Sequence, residues 1–142
     1  MAQKKSILVV GDEMGARESL KMILKPIYQV YTAVDGEEAL QSIQRDKIDL
    51  VALDLKMPSL PGIEVLKQIK RKDPDIEVIV ISAHGTQQNV QDASQYGAGD
   101  FISKPFDVPQ LMNSINKSLE KRNNNLRLKN FSRYNSTVVI RK

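Results

Sequence analysis

The chain contains no cysteine and no tryptophan, one histidine, and no apolar run long enough to cross a membrane. Without cysteine it can form neither a disulfide bond nor a thiolate metal site, which fits a cytoplasmic protein. A spanning helix needs about 20 apolar residues in succession, so we expect a soluble globular protein with no membrane partner. Residues 1–6 are basic, but only four apolar residues follow them, too few for a signal peptide.

Acidic residues are missing from the last part of the chain. Residues 121–142 contain seven Lys or Arg and no acid, whereas the part before them has 14 basic and 17 acidic residues. A basic tail can contact nucleic acid or an acidic partner, but solvation is commoner, and no aromatic-interleaved binding pattern is present. Asn123-Asn124-Asn125 has low helix propensity. We therefore expect one domain at 1–121, and at 122–142 a basic tail or the start of a linker to an output domain outside this chain.

Short apolar runs alternate with helical patterns through most of the chain. This alternation predicts a parallel sheet covered by helices on both faces. The runs at 7–10, 48–53 and 77–81 are almost wholly apolar, as in buried central strands. We therefore predict an α/β fold, a flavodoxin-like doubly wound sheet of five parallel strands in the order 2-1-3-4-5 with five helices. The strands are predicted at 6–10, 28–33, 48–53, 77–81 and 100–103, and the helices begin near residues 15, 35, 63, 86 and 108.

Reactive side chains follow four of the predicted strands. The carboxyl ends of parallel strands meet at one edge of a sheet, where ligands bind in folds of this class. The strand order therefore brings together Asp12 with Glu13, then Asp54, Ser82 and Lys104. These groups are what is needed to form and hold an aspartyl phosphate.

A carboxylate nucleophile and a phosphate repel each other, so a divalent cation must lie between them. Mg²⁺ prefers oxygen ligands and usually keeps several waters, so two carboxylates and one carbonyl suffice. We expect Asp12, Asp54 and the backbone carbonyl of Lys56 to supply them. Lys104 would place a cation beside the phosphate, and the Ser82 hydroxyl would hydrogen-bond a phosphate oxygen.

Each of these residues, taken alone, also has a simpler interpretation. A single aspartate after a strand, such as Asp54, more often caps a helix or starts a turn. Ser82 alone is more often a turn or N-cap hydroxyl, and Lys104 alone a solvated charge. Phe101 by itself is an ordinary core residue. His84 invites a catalytic role, but we expect a residue at the rim of the site that modulates access.

Several motifs occur together in this chain: Ile7-Leu8-Val9-Val10 with Asp12-Glu13, Leu53-Asp54 with Met57-Pro58 and Gly62, Ser82-Ala83, and Lys104-Pro105-Phe106. With these motifs the chain resembles a two-component response-regulator receiver domain over about residues 5–121. The resemblance implies that Asp54 is the phosphoacceptor, Asp12 a direct Mg²⁺ ligand and Ser82 the switch hydroxyl. It also implies that Lys104 is the phosphate-binding lysine and Phe101 the aromatic switch residue.

The same resemblance implies a signalling protein in the cytoplasm rather than an enzyme. Such a domain takes a phosphoryl group from a histidine kinase or a phosphotransfer protein and promotes its own phosphorylation and dephosphorylation at Asp54. The change would repack the face formed by the fourth helix, the fifth strand and the fifth helix, through which a homodimer could form. DNA would be contacted only through an output domain outside this chain.

Gly11 departs from the receiver pattern, which usually has two adjacent acids after the first strand. With Gly11 in place of the first acid, we expect weaker Mg²⁺ binding and slower phosphorylation. The alternative function is therefore a pseudo-receiver, a binding-only interaction module. A flavodoxin-like cofactor protein is disfavoured, because the loops lack both a phosphate-cradling run and aromatic residues to stack on a flavin, and the segment 11–15 lacks the lysine of a nucleotide site.

Overall fold

The computed structural model describes residues 3–55 and 61–140, with residues 134–140 described as backbone only. Five parallel strands form one sheet in the order β2-β1-β3-β4-β5, which confirms the predicted fold class. The strands are β1 (Ser6–Val10), β2 (Gln29–Ala33), β3 (Leu50–Leu53), β4 (Glu77–Ser82) and β5 (Asp100–Ser103). The helices are α1 (Met14–Leu24), α2 (Gly36–Arg45), α3 (Gly62–Lys72), α4 (Gln87–Gln95) and α5 (Val108–Ile140).

The three most apolar strands lie in the middle of the sheet because both of their faces are covered. Every described residue of β3 and β4 is buried. Side chains alternate between the two faces along each strand. One face packs against α2, α3 and α4, and the other packs against α1 and α5. The central strands therefore form two cores, one on each side of the sheet.

The strand register places the residues that follow the strands at one edge. Val10 of β1 pairs with Leu53 of β3, which pairs with Val80 of β4. The Asp54 amide donates to the Val10 carbonyl at 3.0 Å, and the Lys104 amide donates to the Ser82 carbonyl at 2.9 Å. The backbone of the sheet itself therefore fixes where Asp54 and Lys104 leave their strands.

The last helix is longer than the sequence suggests. It continues without interruption to Ile140, through Asn123-Asn124-Asn125, despite the low helix propensity of these three asparagines. Helix propensity is a weak preference that tertiary contacts override, and the Lys5 ammonium donates to the Asn123 side chain at 3.3 Å. The division into 1–121 and 122–142 remains a prediction.

Arg122 shows why the helix continues past residue 121. Its side chain is buried, and its Nε lies 3.2 Å from Oδ1 of Asp49, which is buried as well. Its Nη1 donates to the Asp75 carbonyl at 2.6 Å. Further along the same helix, the Lys129 ammonium forms an ion pair with the Asp75 carboxylate. The first turns of the predicted tail are thus attached to the edge of the sheet opposite Asp54.

The fourth helix is held by few apolar contacts. Ala93 is its one buried residue, and Val90 is 39% exposed. Tyr96, directly after the helix, packs on the core, and the Lys67 ammonium lies 4.2 Å from the centre of its ring. Weak packing of this kind is typical of segments that open locally.

Within residues 3–55 and 61–140, no helix combines the length and apolar character needed to cross a membrane.

Candidate functional site

An ion pair joins the ends of β3 and β5. Asp54 and Lys104 are 50 residues apart in sequence, and the Lys104 ammonium donates to Oδ2 of Asp54 at 3.3 Å. The Asp54 side chain is 21% exposed and that of Lys104 is 29% exposed. Both charges are therefore partly removed from water. Their attraction is stronger in this partly buried position than at an open surface, yet both groups remain accessible to a small ligand.

Gly11 lies directly beside this pair, at the end of β1. A Cβ built on Gly11 would lie 3.6 Å from the Cβ of Asp54, an ordinary contact distance. Asp12 follows and is exposed. A small cavity of about 20 Å³ opens here, and its lining includes Gly11, Glu13, Asp54 and Lys104. The structure thus brings the ends of β1, β3 and β5 together, as the sequence predicts.

The donor set at this edge fits Mg²⁺ in its chemistry. Asp12 and Asp54 offer carboxylate oxygens, which are the ligands that Mg²⁺ prefers, and the ion would complete its octahedron with water. Among the described residues, no group of three or more His, Cys, Asp or Glu side chains could hold a metal. The expected set contains only two carboxylates, so it would depend on waters and on the carbonyl of Lys56. Lys56, like the neighbouring Met57-Pro58 motif, lies outside the described residues.

Ser82 ends β4 and is fully buried. Its hydroxyl oxygen accepts a hydrogen bond from the His84 amide at 3.1 Å, and the Asn89 side chain donates to the His84 carbonyl at 2.7 Å. His84 itself is exposed at the rim of an open cleft lined by Ser82 and Asn89, as expected from the sequence. Two hydrogen bonds therefore connect the Ser82 hydroxyl, through the loop, to the first turn of α4.

Phe101 lies in β5, half-buried against the core on the α4 side of the sheet. It lines a groove of about 250 Å³ together with Val90 and Ala93 of α4. The loop after β4 passes close to it, because a Cβ on Gly85 would overlap the Ser103 hydroxyl and lie 3.4 Å from the Phe101 ring. Glycine at position 85 is what permits this approach. The loop after β4 thus contacts both the Ser82 hydroxyl, through the His84 amide, and the Phe101 ring, through Gly85.

Arg17 is a residue of this site that the sequence did not single out. It lies one turn into α1, lines the same small cavity as Asp54 and Lys104, and donates from Nη1 to the Gly11 carbonyl at 2.7 Å. A signal was available in the sequence. Arg17 continues the spacing of Leu20 and Leu24 on the inner face of α1 toward the amino end of the helix, which follows β1. The hydrogen-bond partner of Arg17 is a backbone carbonyl, a group that every residue has, so the sequence does not identify it.

Comparison with known proteins gives the family. The response regulator receiver domain matches residues 7–116. The chain is 36% identical over 119 residues to sporulation initiation phosphotransferase F of Bacillus subtilis, covering 83% of this chain and 96% of that protein. It is 41% identical over 122 residues to the probable transcriptional regulator ycf27 of Cyanophora paradoxa, covering 85% of this chain and 51% of that one.

A solved structure agrees with the sequence comparisons. The CheY-like response regulator receiver domain protein of Methanospirillum hungatei superposes with a TM-score of 0.83 at 27% identity, covering 87% of this chain and 99% of that one. Receiver domains generally use Mg²⁺ for phosphorylation, and they interact with histidine kinases or phosphotransfer proteins. The match over residues 7–116, on a sheet of order 2-1-3-4-5, shows that the chain belongs to the response regulator receiver domain family of two-component signalling.

Proposed function

We propose that this receiver accepts a phosphoryl group on Asp54 with the help of Mg²⁺. The observation that carries the proposal is the contact of the Lys104 ammonium with Oδ2 of Asp54, at 3.3 Å. The contact brings a carboxylate, the proposed nucleophile, and an ammonium, the proposed phosphate-binding group, to one point that is partly shielded from water. The name of the Bacillus relative, a phosphotransferase, supports a place in phosphoryl transfer.

The transfer itself is a displacement at phosphorus. A carboxylate oxygen of Asp54 forms the new bond to phosphorus, the bond between phosphorus and the donor's leaving atom breaks, and that electron pair leaves with the donor. Mg²⁺, held by Asp12, Asp54 and the carbonyl of Lys56, would neutralise phosphate charge. Lys104 would turn from Asp54 to a phosphate oxygen, where a positioned cation stabilises the charge of the transition state. The same groups would serve hydrolysis of the aspartyl phosphate, with water as nucleophile.

The physiological donor would be a histidine kinase or a phosphotransfer protein. Phosphate on Asp54 would draw the Ser82 hydroxyl inward and away from the His84 amide. Since Asn89 ties the same loop to α4, the loss of one hydrogen bond would change the packing of Phe101 and α4. The α4-β5-α5 face is therefore where we place the output, including a homodimer. Contact with DNA would need an output domain outside this chain.

We expect amide exchange to be fastest, among the five helices, in α4, and to slow there when a phosphate mimic and Mg²⁺ bind. Ala93 is the only buried residue of α4, so little holds this helix in the resting state. Hydrogen-exchange mass spectrometry of the whole chain measures it, with α1 and α2 as internal controls. Uniform protection in all five helices, or a response confined to α1 and α2, would contradict the switching mechanism.

Gly11→Asp should tighten Mg²⁺ binding, because it adds a negative charge beside Asp12 and Asp54. The gain is roughly 1 kcal/mol, as for one extra charge several ångströms away in a partly solvated site. The added Cβ fits at an ordinary contact distance from Asp54. Mg²⁺ titration followed by NMR measures the affinity, and Gln44→Glu, at an exposed position near the end of α2 and away from the site, is the matched control. An unchanged or weaker affinity would mean that the loop depends on the backbone freedom of Gly11, and that the missing negative charge does not limit Mg²⁺ binding.

The pseudo-receiver alternative has one observation in its favour, the missing carboxylate at position 11. A Mg²⁺ titration of the unmodified chain distinguishes the two functions. A receiver should show saturable changes at the ends of β1 and β3 at millimolar Mg²⁺, and a binding-only module should show none.

A further inference from the structure

The hydrogen bond between Arg17 and Gly11 is short and connects a charged group to the backbone. Nη1 of Arg17 donates to the Gly11 carbonyl at 2.7 Å, the distance of a charge-assisted bond. The Arg17 side chain is half-buried, and it forms no ion pair with the acids of residues 3–55 and 61–140. Its guanidinium therefore holds a peptide group rather than neutralising a carboxylate.

The peptide group that Arg17 holds precedes Asp12. On its other side, the Gly11 amide donates to the Ala33 carbonyl at 3.1 Å, so both polar groups of Gly11 are fixed. Asp12 is exposed, and no side-chain hydrogen bond or ion pair holds it in the described part of the chain. The orientation of Asp12 thus depends on the backbone that leads into it.

Glycine is the residue that gives this backbone the most freedom. Gly11 does not need that freedom for its conformation, since Gly97 is the described glycine with positive φ. Nor does crowding require it, because a Cβ at position 11 would lie 3.6 Å from the nearest atom, the Cβ of Asp54. The chain therefore carries a flexible residue next to Asp12, and Arg17 is the side chain that restrains it.

We propose that Arg17 is a positioning residue for Asp12: by fixing the Gly11 carbonyl it limits the directions open to the Asp12 carboxylate and so favours Mg²⁺ binding. The proposal rests on the proposed function, in which Asp12 and Asp54 hold the ion. A purely electrostatic role of Arg17 predicts the opposite change in Mg²⁺ affinity. A guanidinium that acted only through its charge would repel Mg²⁺, so removing Arg17 would tighten binding. The sign of the effect separates the two.

The experiment is a titration of the full chain with MgCl₂ alone at constant ionic strength, followed by the amide shifts of Gly11, Asp12 and Asp54. Arg17→Ala should weaken Mg²⁺ binding about fivefold, as expected when one backbone unit regains its freedom. Arg17→Lys, which keeps a charged donor, should stay within about twofold of the unmodified chain. Lys25→Ala, which removes the same charge just after α1 and away from the site, is the matched control and should change nothing.

Rescue distinguishes positioning from a general loss of structure. Gly11→Ala restricts the backbone by itself, so Arg17→Ala with Gly11→Ala should recover most of the lost affinity at an unchanged Tm. Tighter or unchanged binding in Arg17→Ala, or no recovery in the double variant, would overturn the inference. If Arg17→Ala does not fold, Arg17→Gln, whose shorter side chain carries no charge, takes its place with the same expected weakening. Absence of Mg²⁺ binding in the unmodified chain would instead refute the proposed function.

Discussion

Asp54→Asn should abolish phosphorylation of this chain by an acyl phosphate donor in the presence of Mg²⁺. Asparagine has nearly the same shape as aspartate but no anionic oxygen, so it cannot act as the nucleophile toward phosphorus, and its neutral carbonyl is a weaker ligand for the metal. Asp54 also contacts Lys104, whose ammonium lies 3.3 Å from Oδ2 of the carboxylate. We expect labelling to fall to the background of the assay, measured as the mass of one phosphoryl group added to the intact chain.

Two variants control for indirect effects of the substitution. Asp12→Asn removes a proposed metal ligand but leaves the nucleophile, so it should slow labelling and raise the Mg²⁺ concentration that labelling requires. Asp35→Asn changes the cap of α2, whose side chain accepts from the Glu38 amide, and lies outside the site, so it should label normally. Undiminished labelling of Asp54→Asn would show that another side chain is the acceptor.

Arg122→Ala should lower the free energy of unfolding by about 3 kcal/mol, because it leaves the buried Asp49 carboxylate without its charged partner. Both side chains are less than a tenth exposed. Among the described residues, Asp49 would keep the hydrogen bond from the Ser6 amide, which donates to its Oδ2 at 2.8 Å. For a domain of this size the expected fall in Tm is about 10 °C. Urea unfolding and a thermal melt measure the two quantities.

Lys129→Ala is the matched control for Arg122→Ala. Its ion pair with Asp75 joins the same helix to the same edge of the sheet, but the Lys129 side chain is 51% exposed. Exposed pairs contribute less than about 1 kcal/mol. A loss in Arg122→Ala no larger than in Lys129→Ala would contradict the view that α5 is part of the domain beyond residue 121. A chain cut after Lys121 should be destabilised at least as much as Arg122→Ala, and one cut after Asn130 should not.

The contrast between Asp54 and Asp49 shows what the sequence could and could not reveal. Asp54 was predictable because an apolar run ends at it, and the alternation of strands and helices fixes where the strands end relative to one another. The same reasoning correctly brought Lys104 to Asp54. Asp49 directly precedes β3. No pattern in the neighbouring sequence predicts that it pairs with Arg122, which is 73 residues away.

The helix extension and Arg17 were missed for related physical reasons. Asn123-Asn124-Asn125 has low helix propensity, and only the contacts of neighbouring Arg122 and Lys129 with the sheet edge show that the helix continues. Arg17 acts on a backbone carbonyl, a group that every residue carries. Long-range pairs and side-chain contacts with backbone depend on the folded arrangement, so local patterns do not specify them.

The most direct measurement of the central proposal is to locate the phosphoryl group. The unmodified chain is treated with an acyl phosphate donor, once with Mg²⁺ and once with a chelator, and the modified residue is identified by peptide mass analysis. We expect the phosphoryl group on Asp54 alone, and only when Mg²⁺ is present. Label on Asp12 or Glu13, or equal labelling with the chelator, would contradict the proposal that Asp54 is a Mg²⁺-dependent phosphoacceptor.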